Sequence, residues 1–276
     1  MRKTAAVILV FTLFAGCAHS SRSISGLNSG NATTESEIGE AIHREILHSI
    51  PVCRNQKFND YVEDIGEKIA LAAGRKDLRY QFVLLEDDRI YATHAPGGHV
   101  YLTTGFFEFL ASEIELAAVM AHEIGALQYR DPRLSGLKQT VDLVLRTGSM
   151  AAPAFGSIGV LALLGVSAVD VLVNRGRSIE QETVKADDKA LRYMVDSGFD
   201  PQGLLDLVKR LDDPTVPERP YLYDYLRSHP VSDKRIERLN KAFASLNLEN
   251  KEFRTKYATF LEVKQALQQT FPRRDK

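Results

Sequence analysis

The sequence predicts an α+β fold, mostly helical, with a small sheet of two or three strands ahead of the helix that carries His122 and Glu123. Three observations predict it. Apolar residues recur at helical spacing through most of the chain, in segments bounded by capping residues, Gly or Pro. From Tyr80 to Thr103 the pattern changes to short β-rich runs closed by tight turns. A Ser112-x-x-Glu115 capping box then opens the helix that follows. At 276 residues the chain can bury a sizeable core in one or two domains. A net charge of −1 offers no excess for nucleic acid or for an anionic membrane surface.

Arg2 and Lys3 precede the apolar run Ala5–Phe14, and Ala15-Gly16-Cys17 follows. This is the pattern of a secretory signal over residues 1–16, too short to span a membrane. Cys after Ala-Gly resembles a bacterial lipoprotein box, which implies cleavage before Cys17 and lipid attachment there. The alternative is an ordinary signal cleaved near Cys17, and both place the mature chain outside the cytoplasm. Ala18 is not the Asp that resembles an inner-membrane retention signal, so the periplasmic face of an outer membrane is the expected location. Lipidation would leave Cys53 as the one thiol, read as a buried structural residue. Residues 17–36, rich in Ser, Gly, Asn and Thr, read as the lipidated cysteine and a flexible tether. Residues 37–276 read as one domain.

Thr34-x-x-Glu37 opens a helix that Pro51 ends. His43 and His48 on it share no face and read as surface residues. Phe58, Tyr61, Val62, Ile65 and Ile69 mark a second helix stopped by Gly74. Strands are expected over Tyr80–Leu85, Ile90–His94 and His99–Thr103, with the Pro96-Gly97-Gly98 turn between the last two. His94 and His99, flanking that turn, read as exposed strand ends. A short helix through Phe106–Leu110 and the Ser112-capped helix follow, the latter ended by Asp131-Pro132. Residues 147–169 carry no charge, but Pro153 and several glycines favour a buried hairpin over a membrane span. Helices are then expected from Ile179 to Ser197, stopped by Gly198, from Asp200-Pro201, from Asp233 to Leu246 behind Ser232, and over residues 251–270.

The chemistry concentrates in His122-Glu-Ile-Gly-Ala126. In a His-Glu-x-x-His helix, residues i and i+4 lie one turn apart on one face, so two His grip a Zn²⁺ while the Glu acts as general base. Here the second histidine is Ala126.

Four blocks together resemble the HtpX- and BepA-like zinc metallopeptidases, the forty-eighth metallopeptidase family, over about residues 37–245. They are Ala95–Gly105, Glu113–Arg130, Lys185-Ala-Asp187 with Gly198-Phe-Asp-Pro201, and His229–Arg238. The resemblance implies a gluzincin-like metallopeptidase domain whose sheet precedes the HExxH-type helix. It implies His122 as metal ligand, Glu123 as general base, and lost ligands at Ala126 and at Thr183, where the family has Glu. It places His229 near the metal, and Tyr91 where the family usually has Asn. Structural zinc sites are worth about 10–16 kcal/mol over four ligands, so losing two ligands removes roughly 6–8 kcal/mol, or about 10⁴- to 10⁶-fold in affinity. The expected reading is a catalytically inactive envelope lipoprotein, with zinc absent or weakly held, that binds envelope proteins or extended peptides in protein quality control. The alternative is an active zinc endopeptidase with substitute ligands, His122 with His229 and Asp187, drawn from donors that also include Glu182, His94 and His99.

Overall fold

The computed structural model describes residues 35–128, 176–216, 222–254 and 257–272. All belong to one compact unit, Thr34–Lys276. The signal, Cys17, the tether as far as residue 34 and the apolar segment 147–169 lie outside the described residues, whereas Glu35 and Ser36, expected as the end of the tether, already belong to the first helix. Among the described residues, no helix is long and apolar enough to cross a membrane.

The architecture is α+β, as expected. In chain order it comprises α1 (Glu35–Ser49), α2 (Gln56–Ala73), β1 (Gln81–Leu85), β2 (Ala92–Ala95), β3 (His99–Thr103), α3 (Thr104–Phe109) and α4 (Glu113–Leu127). The chain continues through α5 (Gly176–Asp196), α6 (Gln202–Asp212), α7 (Tyr223–Ser228), α8 (Asp233–Ala244) and α9 (Tyr257–Thr270). Gly74 and Gly198, expected as helix stops, both take a left-handed backbone at φ 74° and 78°. The last helix starts later than expected. The segment before it docks on the α5–α6 turn instead, with Arg254 N–H donating to Gly198 O at 2.8 Å and the Arg254 guanidinium 5.0 Å over the Phe199 ring.

The strands form a mixed sheet in the order β1-β3-β2, with β1 parallel and β2 antiparallel to β3. Alternation along each strand sends neighbouring side chains to opposite faces. Leu84, Ala92, Val100 and Leu102 join the main core with Phe58, Val62, Ile65 and Ile69 of α2 and the apolar residues of α4. Leu85, Ala95 and Tyr101 turn the other way and pack with Ile42, Ile46 and Ile50 of α1. The sheet is therefore covered on both faces, which is why all five residues of β3 are buried.

α4 is the central helix. Ser112 Oγ accepts from the Glu115 N–H, and the Glu115 carboxylate reaches back to the Ala111 N–H at 2.7 Å. Arg210 of α6 closes on the same carboxylate with three contacts of 3.1–3.2 Å. Residues Leu116–Gly125 are all buried.

Candidate functional site

α4 and α5 approach each other closely where Gly125 meets Ala186: a Cβ on Gly125 would stand 2.8 Å from the Ala186 carbonyl oxygen. That approach brings Asp187, 0% exposed, against α4, where its Oδ1 lies 2.9 Å from His122 Nδ1. From α8, Arg235 completes the junction. Its Nε donates to Asp187 Oδ2 at 2.9 Å, its Nη2 to Oδ1 at 3.0 Å, and its Nη1 to the Pro230 carbonyl at 3.0 Å. Burial alone would raise the Asp187 carboxyl, but Arg235 and His122 overcome it and bring it down to about 2. Asp187 is thus a fixed anion that holds His122 by Nδ1 and leaves Nε2 facing the site.

Glu123, the next residue on α4, is 0% exposed and meets an imidazole at each carboxylate oxygen. His94 of β2 places Nδ1 2.8 Å from Oε2. His229, just after α7, places Nε2 3.2 Å from Oε1, an ion-pair distance without the alignment of a hydrogen bond. His229 is itself fixed by stacking on Tyr225, ring centroids 4.1 Å apart, and by Ser228 Oγ 2.9 Å from its Nδ1. Burial works against charge on both partners. It would raise Glu123, yet His229 and His94 pull this carboxyl well below the usual carboxylate range. His229 is held below the usual imidazole value by burial, with Glu123 opposing.

The structure places the sequence-predicted residues as follows. His122, Glu123 and His229 converge, with one donor atom from each within 4.8 Å of the others. Ala126 lies one turn on from His122 and carries no donor. Thr183 is buried one turn before Asp187 on the same face of α5. Glu182 is only partly buried, and Glu180, whose side chain is 44% exposed, pairs with Lys234 outside. The readings of four residues are corrected. Asp187 does not join His122 and His229 as a ligand set, because Arg235 and His122 take both its oxygens. His94 is not a free strand end: β2 alternation puts it on the same face as Ala92, under α4. His99 is 2% exposed, and the supposed surface residue His43 donates to or accepts from the Tyr101 hydroxyl at 2.9 Å. His48 is exposed, as expected.

The residues present do not fit the family's zinc centre. Two of its three ligand positions carry a methyl group and a hydroxyl, and neither replaces an imidazole or a carboxylate as a zinc donor. The set that does converge could hold a cation only by taking Glu123 as a ligand.

Comparison with known proteins agrees with the sequence resemblance. The model for peptidase family M48 matches residues 56–243, more than half of the chain. The chain is 28% identical over 212 residues to a beta-barrel assembly-enhancing protease of Yersinia pestis, covering 73% of this chain and 42% of that protein. The protein of the same name from Escherichia coli K12 is 28% identical over 216 residues, with the same coverage. The mitochondrial metalloendopeptidase OMA1 of Schizosaccharomyces pombe is 26% identical over 187 residues, covering 66% of this chain and 52% of that protein. The chain thus spans less than half the length of the bacterial relatives it matches. The family match starts at Gln56, so α1 lies ahead of it.

Proposed function

The chain belongs to peptidase family M48, and we propose that it is a member that has given up peptide hydrolysis and kept the scaffold for binding. The observation that carries this reading is Glu123. A bound zinc supplies the family's reaction with an acidified water and a polarised carbonyl, and the carboxylate beside it must be open to the water's proton. Here both oxygens of that carboxylate face imidazoles, and Ala126 and Thr183 stand where the second and third ligands are expected. A cation held by His122, Glu123 and His229 does not restore the reaction, since Glu123 is then a ligand and no longer a base.

Binding has a physical basis of its own. Among the described residues β2 ends the sheet order and pairs only with β3, so an extended segment can add to its outer edge beside His94. In this reading the partners are envelope proteins, handled in quality control, a role in keeping with the names of the bacterial relatives. The chain is held at the periplasmic face of the outer membrane by lipid on Cys17.

The test is a ladder of revertants assayed for casein cleavage in zinc: wild type, Ala126→His with Thr183→Glu, and that pair with His94→Ala. The expected order is none, little, and most. Equal cleavage by wild type and revertants would overturn the reading.

A further inference from the structure

α1 is attached to the domain differently from every other described helix around the sheet. Its apolar contacts, Ile42, Ile46 and Ile50 against Leu85, Ala95 and Tyr101, form a small cluster separate from the main core. Gly39 lies so close to the β2–β3 turn that a Cβ there would stand 1.8 Å from the Pro96 carbonyl oxygen. Between these two contacts sits a polar stack. The His43 and His99 rings lie face to face, centroids 4.5 Å apart and planes 18° apart, and the Tyr101 hydroxyl bonds His43 Nδ1. His99 is buried, and its Nδ1 has no hydrogen-bond partner among the described residues. Among the described residues, the charged groups that face this stack are Glu40 and Arg44, both from α1, with the neutral Tyr101 phenol on β3. Glu40 Oε1 stands 3.7 Å from His99 Nε2 and is half exposed, so it offers weak compensation.

We propose that α1 is an acid-released clasp on the β2–β3 hairpin, with the His43–His99 stack as its sensor, and that release loosens the strand carrying His94 to Glu123. The inference goes beyond the proposed function and does not depend on whether hydrolysis is lost. A proton on either ring places a cation in an apolar layer where no described residue offers a buried carboxylate to meet it, and protons on both place like charges in stacking contact. Burial holds His99 down to about 4, with His43 adding and Glu40 opposing. Burial lowers His43 too, against Glu40 and helped by Arg44. Undocked, each ring returns to the ordinary imidazole range near 6.5. Docking therefore excludes protons and weakens as pH falls: His99 alone weakens it roughly thirtyfold between pH 7.5 and pH 5. The link to the site is short in sequence. Ala95 packs under α1, and the residue before it, His94, bonds Glu123.

Hydrogen exchange on the full chain tests this, comparing amides of residues 35–49 with those of 113–127 at pH 7.5 and pH 5 after correction for intrinsic rates. The expected result is about a thirtyfold loss of protection in α1 at pH 5, with the amides of α4 remaining the better protected of the two. His99→Phe, which keeps a ring in the stack, is expected to remove most of that loss. Glu40→Gln, a change at an exposed residue, is expected to enlarge it. Undiminished protection of α1 at pH 5 in the wild type overturns the proposal, as does an equal loss in His99→Phe. If His99→Phe does not fold, a loss in Glu40→Gln no larger than in wild type overturns it equally.

Discussion

The two faces of the small sheet both bury histidines at a helix junction, and they are wired in opposite ways. On the α4 face, imidazoles meet buried carboxylates: His122 on Asp187, His94 and His229 on Glu123, with Arg235 completing the charge balance. On the α1 face, His43 and His99 meet each other and a phenol. Burial opposes charge at both places, but only on the α4 face is an opposite charge buried alongside. The first arrangement locks its elements together over a wide pH range. The second holds only while its rings stay neutral.

The largest effect that separates the two faces is expected from Asp187→Ala. It leaves the Arg235 guanidinium buried without its carboxylate and frees His122, at about 3–5 kcal/mol in urea unfolding. His43→Phe on the other face keeps the stack but leaves the buried Tyr101 hydroxyl without its partner, at about 1–3 kcal/mol. Comparable losses in the two variants would erase the distinction.

Acid unfolding sharpens the same contrast. The folded value of His99 is about 4 against an ordinary 6.5, so its contribution is complete above 6.5 and is lost as pH falls toward 4, by up to about 3 kcal/mol. The folded value of Asp187 is about 2 against an ordinary 3.8, so its contribution persists above 3.8 and is lost as pH falls toward 2. Stability measured against pH is expected to fall first with His99, a step that His99→Phe removes, and then with Asp187. A single step below pH 4 would contradict the order.

Smaller effects follow from two glycines. Gly125→Ala drives a methyl group at the Ala186 carbonyl and is expected to cost about 1–3 kcal/mol by parting α4 from α5. Gly39→Ala meets the Pro96 carbonyl more sharply, but on the weakly held side. Its expected effect is loss of exchange protection in α1 with a smaller change in the unfolding midpoint, since α1 can move away without opening the main core.

The helices were largely legible because their signals are local. Ser112 and Ser232 cap as the spacing suggests, Gly74 and Gly198 stop their helices, and the β3 boundaries are those expected. The sheet order was not legible, since β1 pairs with β3 across the intervening β2, and no local pattern encodes that. The burial of His99 and His43 depends on α1 covering the second face of the sheet, a long-range fact. His94 could have been found from strand parity: Ala92 and His94 share a face, and an apolar helix following a small sheet must cover one face of it. The Asp187–Arg235 pair joins residues on separate helices, and its geometry removes Asp187 from the ligands that composition alone would allow.

Whether Glu123 still serves as a base is decided by a peptidase assay of the purified wild-type chain with and without added zinc, beside Glu123→Gln. No cleavage of casein is expected from either protein in either condition. Zinc-dependent cleavage by the wild type that Glu123→Gln abolishes would contradict this expectation.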